Sequence, residues 1–282
     1  MNVGIVGLGL IGGSLAKSIK KHSEHTVWGF DIDSDAVTQA LMCGAIDETL
    51  TDALLPQCDV VLVALYPGAC VRYIETHAEA FAPGAWVIDC AGVKRSVYGP
   101  VSKIAEGRGW TYIGGHPMAG REYSGFRHAT GTLFERASMI LTPMPDVDIE
   151  TLEAAKAFFL ETGFKTVRIT TPEEHDRRIA FTSQLPHVLA GAYVKSPQCP
   201  GHEGYSAGSY RDVSRVAAVD ETLWAELFLL NRQNLLDDLD ILISSLQEYR
   251  HAIAENDGQR LTQLLADGSR IKEALNEEKE KK

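Results

Sequence analysis

Hydrophobic residues in the first 170 positions form short β-rich runs that alternate with amphipathic helical segments. The predicted strands cover residues 2–6, 26–30, 60–65, 86–89, 111–113, 139–141 and 165–169. The predicted helices cover residues 11–21, 34–43, 69–81 and 151–162. Such alternation is typical of βαβ units that build a parallel sheet with helices on its faces.

The pattern changes after Pro172, where β-branched runs give way to apolar residues at helical spacing. We expect a helical stretch over residues 174–195 that Pro186 interrupts, and then a loop rich in proline, glycine and serine over residues 196–209. One long helix is predicted over residues 221–255.

The chain therefore divides into an α/β domain over residues 1–169 and an all-helical domain over residues 170–282. At 1.5 Å per residue, the long predicted helix measures about 50 Å. A helical domain of this size cannot cover it alone, and its apolar stripe is wide. We therefore predict a homodimer formed through the C-terminal helices.

Composition limits the classes of function. The 282 residues are 45% hydrophobic and 23% charged, as in soluble globular proteins, and the net charge is -11. That charge opposes binding to nucleic acid or to an anionic membrane, and no apolar run approaches the roughly 20 residues of a membrane span. The chain has no signal-peptide pattern, and its five cysteines form no CxxC pair. We expect a cytoplasmic protein with reduced thiols and no bound metal.

A glycine-rich turn follows the first predicted strand. Gly7, Gly9 and Gly12 form G-x-G-x-x-G at the entry to a helix, with Leu10 and Ile11 between them. In dinucleotide-binding domains these glycines make a tight turn, let the backbone approach a pyrophosphate and allow close helix packing. We therefore interpret the first domain as Rossmann-like and expect the turn to bind the cofactor, although a turn packed for its own sake has the same pattern.

Asp31 ends the second predicted strand, at the distance from the turn where an acidic side chain binds the ribose 2′-hydroxyl. A carboxylate there repels a 2′-phosphate, and the next four residues include no arginine or lysine. We therefore predict NAD rather than NADP as the cofactor. The alternative is that Asp31 only forms a turn at the strand end.

Two histidines are candidates for proton transfer. His116 lies just after a predicted strand, on the side of the sheet where ligands of α/β proteins bind. A neutral histidine there can accept a proton from a substrate hydroxyl. His187 lies within a predicted helix. Taken alone, either histidine could instead be a structural residue satisfied by the backbone.

Arg211 and Arg215 are four residues apart and share a face if their segment is helical, with Asp212 between them. Arginines held by a neighbouring carboxylate are suited to binding a substrate carboxylate through paired hydrogen bonds. A surface ion pair is the equally simple alternative.

Four segments together resemble the prephenate dehydrogenase family. They are GLGLIGGS near the N-terminus, GGHPMAGRE at 114–122, SQLPH at 183–187 and SYRDVSRVA at 209–217. The resemblance covers nearly the whole chain in the same order. It implies a Rossmann domain, a helical dimerisation domain, and NAD-dependent oxidative decarboxylation of prephenate to 4-hydroxyphenylpyruvate in tyrosine biosynthesis.

The resemblance also implies roles for individual residues. His116 matches the catalytic histidine at the ring hydroxyl, His187 a second histidine near the pyruvyl side chain, and Arg215 the arginine that binds a substrate carboxylate. The other matches are Glu122 and Asp212 in an ion-pair network around the substrate, Gly208 as a backbone contact and Trp224 in the same region.

One position departs from the family pattern. Gly92 stands where some members carry a serine that assists the histidine at the hydroxyl. We expect water, Lys94 or a nearby backbone group to take that part.

Other functions stay open. An arogenate dehydrogenase has the same fold, but its substrate carries an ammonium group, which His187 as a potential cation disfavours. A non-catalytic, NAD-binding redox sensor would bind the cofactor without turnover. A β-hydroxyacid dehydrogenase shares the architecture but relies on a catalytic lysine, and the HPMAG and SQLPH segments argue against it.

Overall fold

The computed structural model describes residues 1–121 and 123–280. The strands are β1 (Asn2–Val6), β2 (Thr26–Phe30), β3 (Glu48–Thr49), β4 (Val60–Val63), β5 (Trp86–Asp89), β6 (Thr111–Pro117), β7 (Ser138–Pro143) and β8 (Thr166–Ile169). The α-helices are α1 (Leu10–His22), α2 (Ser34–Met42), α3 (Pro67–His77), α4 (Arg95–Ala105), α5 (Ile149–Glu161), α6 (Pro172–Ile179), α7 (Leu185–Tyr193), α8 (Gly208–Ser214), α9 (Glu221–Leu230), α10 (Arg232–Ala254) and α11 (Gly258–Glu280).

Within the described residues, the eight strands form one sheet in the order β3-β2-β1-β4-β5-β6-β7-β8. The strands from β3 to β6 are parallel, β7 is antiparallel to β6, and β8 is parallel to β7. The order reverses between β1 and β4, and open α/β sheets bind ligands at such a point, beyond the carboxyl ends of the strands. The predicted fold class, a Rossmann-like α/β domain followed by helices, is confirmed.

The sheet separates two apolar clusters. In β1, Ile5 belongs to one cluster and Val6 to the other, and Leu62 and Val63 of β4 divide in the same way. Successive side chains of a strand point to opposite faces of the sheet, so both faces of these strands are covered. Burial on both faces is why β4 is a continuous hydrophobic run rather than an alternating one.

Strand β6 is longer than its hydrophobic run predicts. Instead of ending at Ile113 it continues to Pro117, because this segment pairs with the antiparallel strand β7. Strand β5 ends at Asp89, opposite Gly114. The last residues of β6 therefore project beyond β5, and this overhang carries His116.

The prediction of one uninterrupted helix over residues 221–255 is wrong. Helix α9 ends at Leu230 and α10 begins at Arg232. At the break, the fully buried Asn231 side chain donates hydrogen bonds to the Asp176 carbonyl oxygen at 2.8 Å and to Gln184 Oε1 at 2.9 Å. The leucine spacing continues across this residue, so periodicity alone does not reveal the break. The elements α4, α11 and β3 also lie outside those predicted.

The helical stretch predicted around residues 174–195 is continuous but not uniform. A π-helix (Ala180–Gln184) joins α6 directly to α7. Pro186 was expected to interrupt the helix, but it lies in the first turn of α7. Because the helix continues through the π-helix into α7, Pro186 lies inside a continuous helix, and the π-helix directly before it accommodates the local change in hydrogen bonding.

The described chain forms two compact units, Met1–Arg232 and a second that begins at Gln233. In the second unit, the Tyr249 hydroxyl donates a hydrogen bond to the Leu264 carbonyl oxygen at 3.1 Å and joins α10 to α11. The domain boundary between residues 169 and 170 stays a prediction.

Across residues 1–121 and 123–280, the helices are all too short or too polar to cross a membrane. The cytoplasmic location stays a prediction.

Candidate active site

The turn between β1 and α1 requires glycine at two positions. Gly7 has a φ of +90°, and a Cβ atom there would lie 2.5 Å from the Ala64 carbonyl oxygen. A Cβ atom on Gly12 would lie 1.8 Å from the Gly7 carbonyl oxygen. Both distances are far below contact, so any side chain would force the turn open.

The outer side of the same turn is open. No atom lies within 4 Å of the Cβ position of Gly9, which is the N-cap of α1, and Leu10 and Ile11 are half-buried. Gly9 provides no side-chain cap, and the first turn of α1 contains no acidic residue. The free N–H groups and the positive end of the helix dipole are suited to an anion such as a pyrophosphate. The turn therefore fits a dinucleotide.

Asp31 lies beside this turn, directly after β2. Its Oδ2 accepts a hydrogen bond from the Leu8 main-chain N–H at 2.6 Å, and its Oδ1 accepts one from the Asp33 N–H at 2.9 Å. These bonds fix the carboxylate against the glycine turn. Each carboxylate oxygen keeps a further lone pair for a ligand hydroxyl.

His116 lies within β6, opposite Ile140 of β7, and not after the strand as the sequence predicts. Its Nδ1 is 2.8 Å from Nε2 of His175, and Nδ1 of His175 is 2.8 Å from Oδ1 of Asp176. His175 and Asp176 belong to α6 and are 2% and 1% exposed. The three side chains form one continuous hydrogen-bonded chain, which we call the histidine relay.

The Asp176 carboxylate fixes the direction of the histidine relay. Burial acts to raise the pKa of this carboxyl, but hydrogen bonds from His175 and from the main-chain N–H groups of Lys94 and Arg95 outweigh it and lower the pKa. An ionised carboxylate can only accept. Nδ1 of His175 is therefore the donor, which leaves its Nε2 to accept the proton carried by Nδ1 of His116.

His116 consequently presents a bare Nε2. Burial lowers the pKa of His116 well below its usual value, and the neighbouring His175 and the charge of Lys94 act in the same direction. Burial likewise lowers the pKa of His175, against the effect of its bond to Asp176. Both rings are neutral at pH 7, so Nε2 of His116 is a proton acceptor.

Further hydrogen bonds hold Asp176 in place. Its Oδ1 accepts from the Lys94 main-chain N–H at 2.7 Å, and its Oδ2 accepts from the Arg95 main-chain N–H at 3.0 Å and from Arg95 Nε at 3.3 Å. The segment that begins α4 is thereby tied to α6. Sequence reasoning missed His175 and Asp176, because two polar residues in the first turns of a helix look like a solvated surface. The only available signal was that they are adjacent residues of complementary chemistry.

Gly92 lies close to the acceptor nitrogen. A Cβ atom built on Gly92 would lie 3.9 Å from Nε2 of His116 and 3.4 Å from a methyl carbon of the buried Leu227. A side chain at this position would therefore face the acceptor, and glycine leaves that space open. The suggestion that Lys94 replaces the missing side chain is wrong, because its ammonium group is fully buried and bonded to Asp89 and to the Gly115 carbonyl oxygen.

His187 lies in α7, farther along the same helical stretch. Its ring stacks on Trp224 of α9 with centroids 3.6 Å apart, and its Nδ1 donates to the Ser183 carbonyl oxygen at 2.7 Å. Burial lowers the pKa of His187; the bond to Ser183 opposes this effect, and the charge of Arg215 adds to it. The neutral form of the ring is therefore favoured at pH 7 over the potential cation considered from the sequence, and Nε2 is its available acceptor.

The arginine segment is helical, but its helix type changes. Arg211 lies in α8 and Arg215 begins a 3₁₀-helix (Arg215–Ala217). Both arginines line one open cleft of about 310 Å³, and Arg215 lies close enough to His187 to affect its pKa. Gly208 and Asp212 are exposed in α8, and Glu122 lies outside the described residues. The roles assigned to these residues stay predictions.

Two family models match the chain over most of its length. One is described as the nucleotide-binding domain of prephenate dehydrogenase and matches residues 15–168. The other is described as the dimerization domain of prephenate dehydrogenase and matches residues 171–267.

Individual relatives agree with the family models. The chain is 29% identical to a prephenate dehydrogenase of Bacillus subtilis over 91% of this chain and 71% of the relative. It is 29% identical to a cyclohexadienyl dehydrogenase of Zymomonas mobilis over 97% of this chain and 96% of the relative. Two crystal structures are similar in fold, each at 27% identity. Prephenate dehydrogenase from Aquifex aeolicus, bound to hydroxyphenyl propionate and NAD⁺, has a TM-score of 0.85 over 98% of both chains. Arogenate dehydrogenase from Synechocystis has a TM-score of 0.80 over 96% of this chain and 99% of its own.

Replacing His175 tests the histidine relay. In His175→Leu, Nδ1 of His116 loses its acceptor, so the ring is free to hold its proton on either nitrogen. We expect kcat to fall by roughly a hundredfold or more, as when a catalytic histidine loses the partner that sets its tautomer. His175→Gln keeps an acceptor oxygen and should retain more activity. Steady-state rates of the two variants at saturating cofactor decide the matter, and equal rates would show that the acceptor is irrelevant.

Proposed function

Because the chain belongs to the prephenate dehydrogenase family, we propose that it catalyses the NAD-dependent oxidative decarboxylation of prephenate to 4-hydroxyphenylpyruvate. The observation that carries the proposal is the bare Nε2 of His116, which Asp176 holds in acceptor form through His175. An alcohol carbon that gives up hydride places positive charge on its hydroxyl, and a proton acceptor at that hydroxyl stabilises this charge.

The glycine turn would hold the cofactor. Gly7 and Gly12 shape it, Gly9 leaves the backbone accessible, and the N-terminus of α1 faces the pyrophosphate. Asp31, fixed by the Leu8 and Asp33 N–H groups, would accept a hydrogen bond from the adenosine ribose. Bound NAD⁺ supplies the hydride acceptor. A carboxylate in this position favours NAD over NADP, because a 2′-phosphate would meet a negative charge.

The residues of the histidine relay would handle the proton. His116 Nε2 would take the proton of the substrate's 4-hydroxyl. Nδ1 of His116 keeps the proton that it donates to His175, so the imidazole of His116 becomes a cation. Asp176 stabilises that cation through His175 and remains ionised. Loss of carbon dioxide leaves an aromatic ring, which makes the reaction strongly downhill. Because the product keeps its 4-hydroxyl, the proton that His116 accepts would return to this oxygen as carbon dioxide leaves its electron pair in the ring. The protein therefore has to orient the substrate and hold one proton in transit.

Binding a dianionic substrate is the harder task for a chain of net charge -11. We assign the substrate carboxylate to Arg215, with Arg211 beside it in the same cleft. Guanidinium groups suit this part because they stay charged and can bind a carboxylate through two parallel hydrogen bonds. Gly208, Asp212 and Glu122 keep the surrounding roles that the resemblance implies.

Arogenate is a second candidate substrate, and His187 is the observation that favours it. The ring is neutral at pH 7, and its Nδ1 proton is committed to the Ser183 carbonyl oxygen. Nε2 can therefore accept a hydrogen bond from an ammonium group, whereas a keto oxygen has no proton to donate to it.

We also propose that the chain is a homodimer joined through its C-terminal helices. Large apolar side chains remain exposed on α10 and α11, with Ile241, Ile253 and Ile271 each about two-thirds exposed. Monomeric proteins rarely leave such surfaces uncovered.

The dimer is tested by its mass. Sedimentation at micromolar concentration should give twice the 30.8 kDa of the chain. A mass of one chain at that concentration would contradict the assembly.

The substrate is tested by following the absorbance of NADH with prephenate and with arogenate under the same conditions. We expect turnover with prephenate, and turnover with arogenate as well if His187 accepts from its ammonium group. His116→Asn serves as the matched control that should remove turnover of both. If NAD binds but neither compound is oxidised, a sensor role replaces catalysis.

The pH dependence of kcat/KM tests the part of His116. The neutral ring is the active form and its pKa is lowered, so activity should be complete at pH 6.5 and above and should be lost only well below that pH. His116→Asn should reduce kcat by roughly a hundredfold or more, because a positioned proton acceptor contributes at least that factor. A loss of activity centred above pH 6.5 would contradict the assigned acceptor.

A further inference from the structure

A buried ion pair lies beside His116 and has no part in the proposed proton transfer. The Lys94 ammonium binds Oδ1 of Asp89, and both side chains are 0% exposed. Pairs of this kind gain little stability over apolar residues, because both charges must leave water. Their position in the fold is therefore the more informative property.

The ion pair lies where β5 has ended and no longer offers β6 a backbone partner. Gly115 lies one residue beyond the last residue of β6 that pairs with β5. Its N–H donates to Oδ2 of Asp89 at 3.3 Å, and its carbonyl oxygen accepts from the Lys94 ammonium. Asp89 and Lys94 thus satisfy the free edge of the overhang with side chains. The peptide group that leads into His116 is fixed on that edge.

Lys94 also reaches the opposite end of the histidine relay. Its main-chain N–H donates to Oδ1 of Asp176 at 2.7 Å. One residue therefore contacts the backbone next to His116 through its side chain and the anchoring carboxylate through its backbone. A shift of Lys94 would move both ends of the relay.

We propose that Lys94, paired with Asp89, is a positioning residue that holds His116 and Asp176 at the separation which the histidine relay requires. The proposal rests on the function proposed above. The ammonium charge of Lys94 also opposes protonation of His116, so that the acceptor nitrogen stays free.

Several other titratable or charged groups lie near His116, and each is neutral or bonded to an opposite charge. His175 and Asp176 of α6 face it as described above, and the Arg95 guanidinium is bonded to Asp176. Tyr112 of β6 donates its hydroxyl to Oδ2 of Asp89 at 2.8 Å, and burial raises its pKa well above the usual value, so it is a neutral donor. The negative charge of Asp89 is balanced by Lys94 itself.

The test is Lys94→Met, which keeps the length of the side chain but removes the ammonium group. We expect kcat at high pH to fall by roughly tenfold or more, because a small displacement of a catalytic group has that effect. The acidic limb of kcat/KM should also move to higher pH, because a proton on His116 no longer meets a nearby positive charge. A merely structural lysine would leave this limb in place.

Two further variants guard against misfolding. Lys94→Met leaves the buried Asp89 carboxylate without its opposite charge, so Lys94→Met with Asp89→Asn removes both charges together. That double variant should show the same upward shift of the acidic limb, because Lys94 rather than Asp89 is the charge that acts on His116. Lys103→Met, at an exposed position of α4, is the matched control and should leave rate and limb unchanged. If the folded single or double variant keeps both the wild-type kcat and the wild-type limb, Lys94 does not position His116.

A measurement without turnover separates this proposal from the proposed function. Nitrogen NMR of ¹⁵N-histidine-labelled protein follows the titration of His116 directly, with His116→Asn identifying its signals. The titration should move to higher pH in the Lys94 variants even if the wild type oxidises neither prephenate nor arogenate. An unchanged titration would contradict the proposed effect of the Lys94 charge on His116, whereas absent turnover alone would overturn only the proposed reaction.

Discussion

One buried carboxylate sets the direction of the hydrogen bonds at the candidate active site. Asp176 is almost fully buried, and hydrogen bonds from His175 and from main-chain N–H groups at the start of α4 lower its pKa and favour the ionised form. An anion has no proton to donate, so each imidazole linked to it has only one arrangement. Without that constraint, His116 could hold its proton on either nitrogen. The arrangement of α4, α6 and the end of β6 serves to maintain this single polarity.

The negative net charge of the chain opposes the binding of anionic ligands, which the proposed function requires. A surface with an excess of 11 negative charges repels anionic ligands at long range, although salt weakens that repulsion beyond roughly 8 Å at physiological ionic strength. At the proposed binding sites, the attraction would come from oriented groups: the N-terminus of α1 at the glycine turn and the arginines of the α8 segment. The N-terminus of a helix attracts an anion without adding any formal charge. Specific binding of anions is thus compatible with an acidic protein.

The sequence predicts the parts of this molecule that depend on local pattern. The glycine turn, the hydrophobic strands and the order of the two domains all have short-range signals, and His116 stood out because it adjoins a strand. The missed features depend on distant contacts. The extension of β6 needs β7, the break at Asn231 needs Asp176 and Gln184, and the pairing of His116 with His175 joins residues far apart in the chain. Burial also changed the chemistry of His187, which the sequence presented as a potential cation.

The π-helix between α6 and α7 has a geometric consequence for the two halves of the site. In an uninterrupted α-helix, with about 100° per residue, His175 and His187 would point in directions roughly 120° apart. A π-turn absorbs one extra residue without advancing the rotation, which reduces that angle to roughly 20°. The single turn at Ala180–Gln184 thereby brings the histidine of the relay and the histidine stacked on Trp224 to one side of the same helical rod. One residue more than a regular helix would hold is enough to bring two separate histidines to the same side of one helix.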